Sequence, residues 1–292
     1  MPVPAQNQQY ENFIIRYKQN THGGFDYESD ETFQIVNDLF GILYVPMQEV
    51  PELELSSYSY SSIPRCYTYM DTGALSTSGV TRLHNHPYLK LQGKGTLVAV
   101  IDSGIDYLHP AFHNGVQSKI FSIWDQTLEG GADGRIPFGR EFGRQQIEQA
   151  LASENPWEIV PSSDTNGHGT RSAATAAGYR IEKDNFCGAA PEAEIVIVKL
   201  KQAKNYLRDF YLLPRDIDIF QEDDIMLAIS YVLFIAQEQQ MPLSICIGLG
   251  TSMGAHQGEG PLNEYINSIA AFTQNAVSVP AGNEGTARHH YL

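Results

Sequence analysis

The chain has 292 residues and is acidic, with 34 acidic and 19 basic side chains and a formal net charge of −15 at pH 7. This charge argues against a nucleic-acid or anionic-membrane partner, because phosphate groups are bound by clustered Lys and Arg. No secretory signal is expected, and no apolar run reaches the roughly 20 residues that span a bilayer. The three cysteines lack metal-ligand spacing, which fits reduced thiols in an intracellular protein.

Residues 1–70 are predicted to form a small α+β domain. The alternation over residues 13–17 predicts a strand, the apolar spacing over 30–40 predicts a helix, and 41–45 reads as a second strand. Residues 66–91 contain Pro and Gly and are interpreted as a connector. We place the domain boundary near residues 65–78.

Residues 71–292 are predicted to form a second domain, a doubly wound parallel α/β sheet. Apolar runs that read as buried strands alternate there with amphipathic helices, which is typical of a parallel sheet. The predicted strands cover residues 97–101, 119–124, 193–200, 244–249 and 276–280, and the predicted helices cover 144–153, 171–178, 223–240 and 262–274. Residues 130–142 and 202–221 are predicted to be loops.

Three polar residues stand where such a sheet builds sites. Asp102 ends the strand over 97–101, His168 begins a helix of small residues, and Asn283 follows the last strand. A buried carboxylate is costly unless a charged or hydrogen-bonding group needs it. Asp102 alone fits a turn cap as well as a catalytic acid. Together the three residues fit nucleophilic hydrolysis. Asp102 could orient the histidine, the helix N-terminus would keep His168 neutral as a base, and the Asn283 amide could stabilise an oxyanion.

Four segments carry a family resemblance in order, namely VAVIDSGID, NGHGT, GAAPEAEIVIVKL and PAGNEG. They resemble the Asp, His, substrate-groove and oxyanion-Asn blocks of subtilisin-like (S8) serine proteases. The resemblance implies that Asp102 orients His168, that His168 is the general base and that Asn283 stabilises the oxyanion. It also implies that the strand segment Gly248, Leu249 and Gly250 lines the substrate groove.

The segments SIWDQT and AGNEGTARHHY are similar to the clostridial germination-related, Csp-type branch of that family. The branch resemblance implies a protein substrate in spore germination and a cytoplasmic or spore-associated location. By position, residues 1–70 resemble the family's propeptide, which helps the protease fold and then blocks its cleft. Self-cleavage of an active parent is therefore expected near residues 65–78.

One departure concerns the nucleophile. The family's serine lies in a GTSxAxP block after the Asn block, whereas the printed sequence ends at Leu292. Ser252 lies in a similar GTSM segment but precedes Asn283 and lacks the Ala-x-Pro continuation, so it is not assigned as nucleophile. Two functions follow: a serine endopeptidase whose serine is missing from this chain, which is then inactive alone, or a pseudoprotease scaffold that binds a peptide or protein partner.

Isolated histidines offer a weaker alternative, a metal site. His109, His289 and His290 lack acidic partners at ligand spacing and are interpreted as structural or surface residues. Some members of the family bind calcium, but the sequence contains no convincing cluster of oxygen ligands. No cofactor is therefore expected.

Overall fold

The computed structural model describes residues 3–16, 32–50, 53, 58–69, 80–84, 86, 88, 91–130, 135–184, 186–254, 257–272 and 274–282. Within these residues the strands, numbered β1 to β14 along the chain, are Tyr10–Arg16, Phe33–Ile35, Phe40–Pro46, Cys66–Tyr69, Leu97–Asp102, His113–Asn114, Gln117–Ser118, Ile120–Asp125, Arg140–Gly143, Glu194–Lys199, Phe220–Gln221, Leu243–Ile247, Leu249–Gly250 and Asn275–Ser278. The helices α1 to α7 are Val80–His84, Arg144–Leu151, Pro156–Ile159, His168–Ala177, Asn205–Phe210, Glu222–Gln239 and Pro261–Ala270.

The central sheet has six strands in the order β14-β12-β5-β10-β8-β9. The first five are parallel, and β9 joins the edge antiparallel to β8. The strand β5 pairs with β10 on one side and β12 on the other, and all six of its residues are buried because core side chains cover both faces of the sheet there. A strand covered on both faces reads as an unbroken apolar run, so the parallel α/β prediction is confirmed.

The two faces of β5 belong to two different parts of the core. Leu97, Ala99 and Ile101 pack in the cluster that holds α6, whereas Val98 and Val100 pack with Ala173 and Ala177 of α4. Successive side chains of a strand point to opposite faces. Asp102 therefore has the parity of Val98 and Val100, and it belongs to the face that α4 covers.

The N-terminal residues form a separate three-stranded antiparallel sheet in the order β1-β3-β2. The helix predicted over residues 30–40 is wrong in its described part, because Phe33–Ile35 pairs with β3 instead. The side-chain oxygen of Asn37 accepts hydrogen bonds from the backbone N–H groups of Leu39 and Phe40, which closes a turn between β2 and β3. The period of a short apolar segment does not distinguish these outcomes. A 3-10 turn, Met47–Glu49, follows β3.

Two loop predictions also need correction, because distant pairing decides them. The predicted loop over 202–221 contains the helix Asn205–Phe210 and the strand Phe220–Gln221, and residue 140 begins a further strand. The predicted connector over 66–91 contains Cys66–Tyr69, which lies between β11 and β13 in a second three-stranded sheet. Neither neighbour of Cys66–Tyr69 is close to it in sequence, so local patterns did not indicate this strand.

A buried polar cluster joins the N-terminal sheet to the rest of the chain. Lys204 Nζ donates hydrogen bonds to the carbonyl oxygens of Pro4 and Tyr10 and to Asn12 Oδ1, at 2.8, 3.1 and 2.6 Å. The Asn12 side-chain amide in turn donates to Asp223 Oδ2 at 2.5 Å. We call Asn12, Lys204 and Asp223 the docking cluster, because Asn12 of β1 binds both Lys204, the residue before α5, and Asp223 in the first turn of α6.

Candidate active site

Asp102 and His168 lie in direct contact at the carboxyl end of β5. His168 Nδ1 is 2.7 Å from Asp102 Oδ1 and 2.9 Å from Oδ2, and the backbone N–H of Ser103 donates to Oδ1 at 2.7 Å. Asp102 is 1% exposed and His168 is 9% exposed. A buried carboxylate against Nδ1 fixes the tautomer of the ring and leaves Nε2 as the nitrogen that can accept a proton. We call this pair the dyad.

Asp164 aligns the end of β5 with the start of α4. Its carboxylate accepts hydrogen bonds from Ser103 Oγ, from the backbone N–H of Gly167, and from both the N–H and the hydroxyl of Thr170. Ser103 Oγ also accepts the backbone N–H of Gly169 at 2.9 Å. Burial would raise the pKa of Asp164, but these hydrogen bonds outweigh it and hold the pKa below its usual value.

Sequence reasoning gave Asp164 no role, although a local signal exists. An acidic residue shortly before a helix start, facing the exposed N–H groups of the first turn, is typical of a cap. Here the capping carboxylate also binds the residue after Asp102. It therefore sets the position of His168 relative to Asp102 without touching either side chain.

Gly248 packs directly on the dyad. A Cβ atom added there would overlap Asp102 Oδ2 and would lie 3.1 Å from His168 Cε1 and 3.3 Å from Ser172 Oγ. The end of β12 can approach the carboxylate this closely only because residue 248 has no side chain. Ser172 lies one turn after His168 on α4, and its buried hydroxyl has no hydrogen-bond partner among the described residues.

An extended segment of the chain itself lies beside the dyad. Cys66–Tyr69 pairs antiparallel with Leu249–Gly250 on one side and with Phe220–Gln221 on the other. In this register Tyr69 is opposite Leu249, the residue after Gly248. A segment that adds a strand between two edges is a common way for an extended peptide to be held.

A pocket of about 230 Å³ opens beside this strand. It lies between the loop after β13, the start of α7 and the chain that follows β14. Its lining includes Tyr67, Leu249, Ser252, Leu262, Ile266 and Pro280. Its walls are both polar and apolar, and they include Arg65 and Tyr67 from the segment that pairs with Leu249–Gly250.

Those predicted site residues that belong to the described part of the chain lie close together. Asp102, His168 and Gly248 are in mutual contact, and Leu249 and Gly250 form the edge that pairs with Cys66–Tyr69. Asn283, His289 and His290 lie outside the described residues. His109 is described, and its Nδ1 accepts the backbone N–H of Ala111 within a local turn. No group of three or more His, Cys, Asp or Glu residues suited to a metal ion occurs in the described part of the chain.

Comparison with known proteins shows what the region around this site is similar to. Residues 93–211, which contain both members of the dyad, match the model of the subtilase family (Peptidase_S8). This stretch is similar to a subtilase domain, and the α/β sheet has a subtilisin-like fold. The structure of the Clostridium perfringens CspB protease is similar at 29% sequence identity with a TM-score of 0.58, over 71% of this chain and 39% of that one.

Two sequence relatives are also proteases. An intracellular serine protease of Paenibacillus polymyxa is 29% identical over 196 residues, covering 66% of this chain and 43% of that protein. The Arabidopsis thaliana subtilisin-like protease SBT1.4 is 30% identical over 125 residues, covering 37% of this chain and 16% of that protein. The chain thus spans less than half the length of these relatives. Among all the described helices, none has the length and apolar character that a membrane-spanning helix needs.

Proposed function

We propose that this chain is part of a serine endopeptidase that hydrolyses peptide bonds, with Asp102 as the orienting acid and His168 as the general base. The observation that carries the proposal is the double contact of His168 Nδ1 with the two oxygens of Asp102, at 2.7 and 2.9 Å. The subtilase match over residues 93–211 supports the same reaction. Asn283 is proposed as the oxyanion donor from its sequence block alone.

The dyad would act in two proton transfers. His168 Nε2 takes the proton of a serine hydroxyl as the serine oxygen bonds to the substrate carbonyl carbon, and Asp102 stabilises the resulting imidazolium. His168 then gives that proton to the leaving amine, so the peptide C–N bond breaks and an acyl-enzyme remains. Water hydrolyses the acyl-enzyme by the same route. The serine is proposed to lie outside the residues described here, with Ser252 not taking this role.

Residues 1–70 are proposed as the propeptide and residues 71–292 as the peptidase domain. Two observations support this division. The last described strand before residue 70, Cys66–Tyr69, runs between β11 and β13 as a bound peptide would. Lys204 also binds two backbone carbonyls of the N-terminal residues, so the proposed propeptide is anchored at a second point.

The Csp-type branch is proposed as the closer grouping within the family. Similarity to the CspB protease structure and the SIWDQT segment support it. On this grouping, the proposed substrate is a protein that is cleaved in spore germination. The Paenibacillus relative described as intracellular supports a cytoplasmic or spore-associated location. Calcium, nucleic acid and membranes have no proposed role.

The reaction is tested by fluorophosphonate labelling of the natural gene product, with His168→Ala as the control. Labelling of one serine in a Gly-Thr-Ser-x-Ala context that requires His168 supports the endopeptidase. A gene product that is not labelled, yet binds peptides in the groove beside Leu249, contradicts the endopeptidase and supports a pseudoprotease scaffold.

Ser252 is not expected to be labelled. Labelling at Ser252, located by mass spectrometry of the modified peptide, would overturn the assignment of that residue. An active parent is expected to cleave itself between residues 65 and 78, close after Tyr69. Because the two products can stay associated, the cleavage is read by mass spectrometry under denaturing conditions; a continuous chain across this region would contradict the propeptide boundary.

A further inference from the structure

Arg65, the residue before β4, is buried at one end of the groove. It is 5% exposed, although arginine is rarely buried without a partner. The neighbouring strand Cys66–Tyr69 is the segment that runs beside the dyad. Arg65 is therefore the side chain that this bound segment inserts into the protein four residues before Tyr69, the residue opposite Leu249.

Glu222, the first residue of α6, holds both the backbone and the side chain of Arg65. Glu222 Oε2 accepts the backbone N–H of Arg65 at 3.1 Å, and the backbone N–H of Glu222 donates to the Arg65 carbonyl at 2.7 Å. Arg65 Nη1 lies 3.9 Å from Glu222 Oε1. Glu222 is 1% exposed, and burial raises its pKa while the Arg65 charge opposes the rise. The carboxylate thus depends on a cation at this position.

Two glycines form the other walls around the guanidinium. A Cβ atom at Gly254 would lie 2.7 Å from Arg65 Cζ, and one at Gly260 would lie 2.7 Å from both Nη1 and Nη2. Both glycines have positive φ values, 91° and 134°, which side chains rarely adopt. The Tyr60 ring adds a face 5.8 Å from Cζ. The cavity therefore has the size and charge of a guanidinium group.

We propose that Glu222, Gly254 and Gly260 form a guanidinium subsite that selects protein substrates with an arginine four residues before the residue paired with Leu249. The inference rests on the proposed peptidase function, because it treats Cys66–Tyr69 as a segment in the place of a substrate. Arg65 occupies the subsite in the unprocessed chain. Once that segment is released, Glu222 is left as a buried carboxylate, and a substrate arginine restores its counter-charge.

The subsite itself is tested on the full chain without reference to hydrolysis. Ethylguanidinium is expected to raise the thermal unfolding midpoint of Arg65→Ala, and ethylurea, a neutral compound of the same shape, is not. The effect should vanish in Arg65→Ala/Glu222→Gln. Arg215→Ala is the matched control, because Arg215 forms an exposed ion pair with Asp209 away from the subsite. An equal response in all three variants, or none in Arg65→Ala, would overturn the subsite.

Selection is tested with two peptides that cover residues 63–69, one with arginine and one with citrulline at position 65. In full-length Arg65→Ala each peptide competes with the chain's own Cys66–Tyr69 strand. Binding is expected to be about tenfold or more tighter for the arginine peptide, because Glu222 is then a buried carboxylate without its cation. Equal binding, or binding of neither peptide, contradicts the selection. A gene product that prefers the arginine peptide but never cleaves it would contradict the peptidase function alone. Cleavage that ignores arginine would contradict the subsite alone.

Discussion

The dyad and the docking cluster are both buried arrangements of charge, but their hydrogen bonds are distributed differently. In the docking cluster Lys204 reaches three oxygens, and Asp223 accepts from the side-chain amides of Asn12 and Gln221. Asp102 has the N–H of Ser103 and His168 Nδ1, and the histidine keeps 9% of its surface exposed at the groove. The many hydrogen bonds of the docking cluster hold the N-terminal sheet in place, whereas the dyad keeps part of His168 accessible to a reactant.

The docking cluster should be the more sensitive region when one partner is removed. Asp223→Ala is expected to lower the free energy of unfolding by about 3–5 kcal/mol, because Lys204 loses a nearby opposite charge and two buried amides lose an acceptor. Urea unfolding measures the change. Asp209→Ala, which removes an exposed partner of Arg215, should change stability by no more than about 0.5 kcal/mol. A similar loss in both variants would contradict the difference in burial.

The dyad should be more sensitive to added volume. Gly248→Ala is expected to cost about 1–3 kcal/mol, since the new methyl group displaces the Asp102 carboxylate or β12. The Nδ1 proton resonance of His168 should shift upfield or disappear in the NMR spectrum. Gly143→Ala is the control, because nothing lies within 4 Å of a Cβ atom there. An unchanged His168 resonance in Gly248→Ala would contradict the contact.

Glu11, which lies close enough to Lys204 of the docking cluster to feel its charge, should make the stability of the protein depend on pH. Burial raises the pKa of Glu11 from 4.5 to about 7, with Lys204 opposing the rise. The folded protein therefore holds a proton that the unfolded chain loses, and the contribution of Glu11 to stability falls as pH rises from 4.5 to about 7. The free energy of unfolding of wild type minus that of Glu11→Gln should fall across this window. A difference independent of pH, with the exposed Glu49→Gln as baseline, would contradict it.

The smallest effect is expected beside the dyad at Ser172. Its buried hydroxyl has no hydrogen-bond partner in the described part of the chain, so Ser172→Ala removes a group that is costly to bury. The free energy of unfolding should stay within about 1 kcal/mol of wild type, with any change in the stabilising direction. A clear loss in urea unfolding would indicate that the hydroxyl is bound after all.

The elements that could be predicted from the sequence are those that are buried along their whole length. The apolar run ending at Asp102 and the small residues after His168 both indicate burial, and parity along β5 places the acid on the face of α4. The elements that were missed depend on distant partners. Cys66–Tyr69 becomes a strand only between β11 and β13, and Asp164 acts through Ser103, which lies 61 residues earlier.

The order β11-β4-β13 has a kinetic consequence. The two outer strands, Phe220–Gln221 and Leu249–Gly250, have two residues each and pair with the middle strand rather than with each other. Without an occupant, the groove has two open edges and no sheet. An incoming peptide should therefore replace the bound segment most readily by exchanging one backbone residue pair at a time along the strand. Amide hydrogen exchange at these two edges would then report the residence time of whatever lies between them.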